Sequence, residues 1–71
     1  MKSSFETIIN KRKYHIEVEP YNHNIEMVRV YEYGESGKLI YLDYRLSNDT
    51  EKAFREIIHN KKNAIQSITL I

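Results

Sequence analysis

The sequence predicts an α+β domain, in which a small antiparallel sheet of three to four strands, connected as a meander, has a helix packed on one face. Two segments, 14–19 and 25–46, alternate apolar and polar residues with the period of a strand, and the second is long enough for a hairpin. A third segment, 48–60, repeats apolar residues at helical spacing. The 71 residues are predicted to form one domain, 1–71.

Composition limits the classes of function. The chain has no cysteine, which excludes disulfides, thiolate metal sites and thiol nucleophiles. No secretion signal starts at Met1 and no apolar run has the length of a membrane span, so we expect a cytoplasmic protein without a membrane partner. The net charge is only +1, so nucleic-acid binding would require local clustering of basic residues. A domain this small buries only about 60% of its unfolded surface, and self-association into a homo-oligomer would help to stabilise it.

The long hairpin turns at residues 34–38. Gly37 stands where a three-residue loop requires a left-handed residue, and this loop pairs Gly34 with Lys38. A two-residue loop, Glu35-Ser36, would mix apolar and charged side chains on both faces of the sheet. The three-residue loop predicts these pairs on the core face: Glu32 with Ile40, Val30 with Leu42, and Val28 with Tyr44.

The other face of the hairpin is the candidate binding surface. Tyrosine, methionine and arginine are enriched at the centres of protein interfaces, and this face combines all three. Two alternatives stay open: strand tyrosines can simply face solvent, and an N-terminal helix could cover them. The candidate site residues form four cross-strand pairs: Tyr33 with Leu39, Tyr31 with Tyr41, Arg29 with Asp43, and Met27 with Arg45.

The preceding strand, residues 14–19, ends at Pro20, which cannot donate to a ladder. Pairing of Ile16 with Val30 would create three rows of side chains across the outer face. The predicted rows are His15 with Tyr31 and Tyr41, Glu17 with Arg29 and Asp43, and Glu19 with Met27 and Arg45.

The N-terminal segment permits two structures. Ser3 and Glu6 have the spacing of a capping box, and the apolar residues nearby recur at helical spacing, which favours a short helix. A strand is the alternative, because residues 5–9 contain a β-branched run and alternate members could share one face.

The second half of the chain predicts a helix and then a strand. Asn48 and Glu51 indicate an N-cap, and Asn60 with two lysines indicates the end of the helix. Residues 64–71 are rich in β-branched side chains and predict an edge strand that could pair with another chain. The stripe expected to cover the core face of the sheet consists of Ala53, Phe54, Ile57 and Ile58.

No residue pattern predicts catalysis, a metal site or a cofactor. The three histidines fit no metal-ligand spacing, and no Ser, His and acid set is spaced as a catalytic triad. Glu17 and Asp43 would have Arg29 between them, which argues against a catalytic acid–base pair. We therefore expect a protein that is not an enzyme.

Two basic clusters provide the alternative function. Lys11-Arg12-Lys13 and Lys61-Lys62 could contact phosphates if they lie on one side of the fold, while tyrosines stack on bases. Acidic residues among the tyrosines weigh against nucleic-acid binding.

The order of a short helix, three antiparallel strands, a helix and a final segment resembles small phage-encoded inhibitors, including some anti-CRISPR proteins and inhibitors of uracil-DNA glycosylase. The matching residues are Lys13-Tyr14, Gly37-Lys38 with Tyr41, and Phe54. Those inhibitors are typically acidic mimics of DNA, and the charge of +1 departs from that pattern, so no functional residue is transferred. The resemblance implies a small inhibitor of a host defence protein. The expected function is therefore non-enzymatic binding, through the outer face, of another protein or a second copy of the chain.

Overall fold

The computed structural model describes the backbone of residues 2–69 and the side chains of residues 2–60. Four antiparallel strands form one sheet in the order β1-β2-β3-β4, and a helix follows them. The elements are β1 Ser3–Ile9, β2 Arg12–Pro20, β3 Glu26–Tyr33, β4 Leu39–Ser47 and α1 Thr50–Thr69. The predicted α+β fold, a meander with a helix on one face, is confirmed. Among the described residues, no helix combines the length and apolarity that crossing a membrane requires.

The first element is a strand, so the predicted N-terminal helix is wrong and the alternative is correct. β1 pairs with β2 along its whole length, from Ser3 opposite Val18 to Ile9 opposite Arg12. The two-residue turn between them, Asn10-Lys11, has φ angles of 52° and 65°. Positive φ at both positions is the type I′ geometry that matches the twist of a hairpin. Pairing with β2 therefore makes this segment a strand, although its local residue pattern also permitted a helix.

The hydrophobic core lies between the sheet and α1. The ring of Phe54 meets the ring of Phe5 edge-on, with centroids 6.1 Å apart. Ile9 and Ile58 pack against the buried cluster from its margin. The buried members of the cluster are Tyr14, Ile16, Val18, Val28, Val30, Leu42, Ala53, Phe54 and Ile57. The predicted apolar stripe of the helix therefore covers the core face of the sheet.

The start of α1 differs from the prediction by one residue. Asp49, not Asn48, is the N-cap, because its Oδ1 accepts a hydrogen bond of 3.1 Å from the backbone N of Lys52. The main-chain oxygen of Asp49 accepts the first helical bond from Ala53, at 3.0 Å.

The end of α1 is also later than predicted. The helix does not stop at Asn60 but continues to Thr69. The predicted edge strand over residues 64–71 is therefore wrong as far as Thr69, and its last two residues lie outside the described part of the chain. Within the described residues, β1 and β4 are the two edge strands of the sheet.

The hairpin turn matches the prediction. The backbone N–H of Gly34 donates to the main-chain oxygen of Lys38 at 2.9 Å. The backbone N–H of Gly37 donates to the main-chain oxygen of Gly34 at 3.0 Å. Gly37 has a φ of 81°, which is the left-handed conformation that the loop requires. The predicted pairs nearest the turn are also present, down to Tyr31 opposite Tyr41.

Beyond that pair, a β-bulge changes the register of β4. The extra residue is Leu42, so that Leu42 and Asp43 together oppose Val30. The predicted register is wrong from this point, since each residue of β3 faces a residue one position later in β4. The observed pairs are Arg29 with Tyr44, Val28 with Arg45, Met27 with Leu46, and Glu26 with Ser47.

Candidate functional site

The candidate site lies on the outer face, defined as the face of the sheet opposite α1. Val28 and Val30 of β3 are buried under the helix, so the residues that alternate with them point outward. Ile16 pairs with Val30, as predicted. The register brings six of the eight predicted residues together on the outer face: Met27, Arg29, Tyr31, Tyr33, Leu39 and Tyr41.

The other two predicted residues, Asp43 and Arg45, are not part of this surface. Arg45 lies on the helix side of β4, where its Nη1 is 3.1 Å from Oε2 of Glu56. Asp43 lies at the bulge, where its carboxylate accepts a 2.8 Å hydrogen bond from the backbone N of Tyr44. Tyr44 and Leu46 occupy the outer face in their place.

Nothing in the local sequence indicates that Tyr44 and Leu46 replace Asp43 and Arg45 on the outer face. In a regular strand, Tyr44 and Leu46 would continue the apolar alternation of the core face, so the predicted register was consistent with the residue pattern. Bulges are common in edge strands, where the backbone can lose one pairing. The predicted rows that ended at Asp43 and Arg45 therefore end at Tyr44 and Leu46.

The outer residues of β4 form an apolar strip, which we call the β4 strip: Leu39, Tyr41, Tyr44 and Leu46. Their exposed fractions are 44%, 46%, 52% and 42%. The ring of Tyr41 packs against that of Tyr31 with centroids 5.4 Å apart, and His15 lies 5.9 Å beyond Tyr31. This is the predicted aromatic row across β2, β3 and β4.

The hydroxyl of Tyr41 is a hydrogen-bond donor at neutral pH. Partial burial, followed by the nearby carboxylate of Asp43, raises the pKa of Tyr41 above its ordinary value of 10.0. The β4 strip can therefore offer a polar contact at the centre of an apolar surface.

The β1 and β2 side of the outer face carries an ionic network, with the exposed side chain of Ile8 beside it. Nζ of Lys13 lies 3.3 Å from Oε1 of Glu6, and Nζ of Lys2 lies 3.5 Å from Oε1 of Glu17. The imidazole of His15 lies between the two carboxylates, with Nδ1 3.6 Å from Glu6 and Nε2 3.5 Å from Glu17. Each carboxylate of the network thus has a basic partner.

The network also holds two tyrosines. The hydroxyl of Tyr33 donates a hydrogen bond to Oε2 of Glu6, and the hydroxyl of Tyr31 donates one of 3.3 Å to Oε1 of Glu17. The bond from Tyr33, then Lys13, keeps the pKa of Glu6 below 4.5, and the same bond raises the pKa of Tyr33. Burial would raise the pKa of Glu17, but Lys2 and hydrogen bonds from its neighbours together lower it.

The basic cluster at residues 11–13 does not form one patch. Lys11 is exposed in the turn, whereas Arg12 points to the core side, with Nη1 3.4 Å from Oε1 of Glu32. Lys13 points to the outer face, with Nζ 5.0 Å from the ring centre of Tyr33. The side chains of the other predicted cluster, Lys61-Lys62, lie outside the described residues.

Within the described residues, no group of three or more histidines and carboxylates is arranged to hold a metal ion. No protein-family model, curated protein or solved structure matches the chain. Functional inference therefore depends on the geometry of the outer face.

Proposed function

We propose that this protein is a non-enzymatic binding module that contacts a protein partner through the β4 strip. The observation that carries this proposal is the strip itself, in which two tyrosines and two leucines are each 42 to 52% exposed on one face. Burial of such rings in a partner releases water from a large apolar area, and tyrosine is enriched among residues that dominate binding energy.

The tyrosines beside the strip support the proposal because they are already oriented. Tyr31 is held between the ring of Tyr41 and the carboxylate of Glu17, and Tyr33 is held by Glu6. Side chains that are ordered before binding lose less conformational entropy when a partner arrives. The outer face can thus present a rigid aromatic centre with a polar rim.

Charge also favours an apolar partner surface. The basic residues of the outer face have acidic neighbours within the chain, such as Glu19, whose Oε2 lies 3.5 Å from Nη1 of Arg29. These ion pairs leave little uncompensated charge to attract an anionic ligand. Inhibition of a host protein by a phage or mobile-element product stays a prediction, which rests only on the general resemblance to small phage-encoded inhibitors.

Nucleic-acid binding through Lys11, Arg12, Lys13, Lys61 and Lys62 also stays a prediction, with less support. Arg12 and Lys13 point to opposite faces and each has a carboxylate partner. Phosphate contacts by these two residues would first have to break those ion pairs.

The proposal predicts that Tyr41→Ser combined with Tyr44→Ser abolishes partner binding without unfolding the protein. Each ring is about half exposed, so its loss removes little of the core, whereas each binding hot spot is worth about 2 kcal/mol or more. The measurement is capture of a partner from a lysate by the wild type, followed by calorimetric titration of that partner with each variant.

Tyr21→Ser is the matched control, because Tyr21 is 58% exposed in the β2–β3 loop, outside the outer face. This control should bind as the wild type does. A folded double variant that binds with unchanged affinity would show that the β4 strip is ordinary solvent-exposed surface.

A further inference from the structure

The two edges of the sheet differ in how they are protected. β4 has the bulge at Leu42, which interrupts the regular backbone pattern of that edge and hinders the addition of another strand. β1 pairs with β2 in a continuous register over all of its seven residues. It contains no proline, and its one charged side chain is that of Glu6. β1 is therefore the edge that is open to pairing.

The turn fixes which backbone groups of β1 face outward. A two-residue turn closes with a hydrogen bond between the residues that flank it, here Ile9 and Arg12. Hydrogen-bonded and non-bonded pairs alternate in an antiparallel ladder, so Ser4, Glu6 and Ile8 belong to the non-bonded pairs with β2. Their N–H and C=O groups point away from β2, and the chemistry that fits them is another extended strand.

We propose that β1 pairs antiparallel with β1 of a second copy, which joins the two sheets into one of eight strands. The two-fold axis passes between Thr7 of each copy. In this register Glu6 of one copy forms a hydrogen-bonded pair with Ile8 of the other, and each such pair exchanges two backbone hydrogen bonds. The contact is isologous, as expected for a two-fold dimer.

The side chains of β1 favour a second copy as the occupant. On the core side, Phe5, which is 41% exposed, faces Ile9 of the second copy, and the two threonines pair at the axis. On the outer side, Ile8, which is 70% exposed, lies beside Glu6 of the second copy. A register centred on Glu6 would instead place two carboxylates directly opposite each other, which is destabilising.

The dimer would have a consequence for the outer face. Because the axis is perpendicular to the sheet, both outer faces lie on the same side and both helices lie on the other. Seven strand spacings separate the two β4 strips, which places them roughly 34 Å apart. A partner with two suitably spaced sites would then bind with increased avidity.

Sedimentation over a range of concentrations tests the dimer, and amide hydrogen exchange tests its register. We expect the mass to rise from 8.5 kDa to twice that value without larger species. The amides of Glu6 and Ile8 should become protected from exchange as the protein concentration rises. The amide of Ser4 lies beyond the paired segment, so its exchange should stay fast. Protection of Ser4 together with Glu6 would overturn the proposed register.

Ile8→Pro is the decisive variant. Ile8 donates outward, so proline leaves the β1–β2 ladder intact but removes one donor from each copy. We expect the dissociation constant of the dimer to rise on the order of thirtyfold or more. Ile8→Thr, which keeps the N–H, should retain the dimer, and circular dichroism should show all variants folded.

Ile8→Glu and Ile8→Lys test the register with opposite charges, since the effect of each on pairing with Lys13 inside the chain is the reverse of its effect on the dimer. Glutamate would face Glu6 of the second copy and weaken the dimer, although inside each chain it lies opposite Lys13. Lysine would face Glu6 and keep the dimer.

A wild type that stays monomeric at high concentration, or variants that all dimerise equally, would overturn the proposal. In that case β1 would be free to pair with a strand of another protein. Tyr41→Ser combined with Tyr44→Ser should not affect the dimer, which separates this test from that of the proposed binding function.

Discussion

Single carboxylates organise much of the outer face. Glu6 and Glu17 each accept a hydrogen bond from a tyrosine hydroxyl and lie within 3.6 Å of the nearest atom of a lysine and of His15. These contacts join residues from three strands, because Glu6 is on β1, His15 on β2 and the tyrosines on β3. The ring of Tyr31 is thus held between the carboxylate of Glu17 and the ring of Tyr41, and Tyr33 is held by Glu6 and by Lys13 over its ring.

On the core face, the corresponding central residue is Phe54. It is 6% exposed and contacts Phe5 across the helix–sheet interface. We predict that Phe54→Ala lowers the free energy of unfolding by about 3–5 kcal/mol, because the cavity adds to the lost burial of the ring. Urea unfolding measures this loss, which is a large fraction of the stability of a small domain.

Phe54→Leu is the control for the cavity. It keeps an apolar side chain of closer volume and should cost roughly 1.5 kcal/mol or less. Equal stability of the alanine variant and the wild type would contradict the position of Phe54 in the core.

At the scale of elements, the sequence predicted β2, β3, the hairpin turn and the buried stripe of the helix, because alternation and turn chemistry agree there. It favoured a short helix over a strand for residues 3–9, because the spacing of Ser3 and Glu6 outweighed the β-branched run that competes with it. Pairing with β2 settles that competition, and such tertiary effects override local propensity.

The placement of the candidate residues on the outer face was predicted in part, because it depends on the register of β4. The six residues that share the outer face as predicted pair before the bulge at Leu42, where the turn sets the register, or lie opposite β2. Asp43 and Arg45, which do not lie on that face, come after the bulge. A bulge is a change in backbone pairing, and no residue of β4 indicates where it lies. Tyr44 and Leu46 could therefore not be assigned to the outer face from the alternation of apolar and polar residues.

The start of the helix offers a direct test of observed against predicted capping. We expect Asp49→Ala to lower the free energy of unfolding by about 0.5–2 kcal/mol, since the hydrogen bond to Lys52 N is lost and so is a negative charge at the helix N-terminus. Thermal and urea unfolding provide the measurement.

Asn48→Ala is the matched control, because Asn48 is exposed and precedes the N-cap. Its stability should stay within about 0.5 kcal/mol of the wild type. A larger loss for Asn48→Ala than for Asp49→Ala would mean that the helix begins one residue earlier than observed.

At the scale of the whole molecule, different interactions predominate in stabilising the two faces of the sheet. The helix buries an apolar core on one side, whereas ion pairs and hydrogen bonds link β1, β2 and β3 on the other. Burial of the core cluster depends little on pH, since its side chains are apolar apart from the Tyr14 hydroxyl. The carboxyl groups whose pKa values are lowered, Glu6 and Glu17, both lie on the outer side, which therefore makes the fold sensitive to acid.

We predict that acid lowers the free energy of unfolding through Glu6 and Glu17. The pKa values of both carboxyl groups lie below 4.5 in the folded protein, so the unfolded chain takes up protons first as the pH falls. Their stabilisation is present above the unfolded pKa and is lost as the pH falls through the folded values. Urea unfolding at about pH 7 and about pH 3 measures the loss.

Glu6→Gln separates the contribution of this network from general acid effects. Glutamine can still accept the hydrogen bond from Tyr33 but has no charge to lose, so the variant should lose less stability between the two pH values than the wild type. Glu35→Gln, at an exposed position in the β3–β4 loop, should lose as much as the wild type. If Glu6→Gln and Glu35→Gln lose the same amount, the charge of Glu6 does not stabilise the fold, and the tyrosines must be held by hydrogen bonding and ring packing alone.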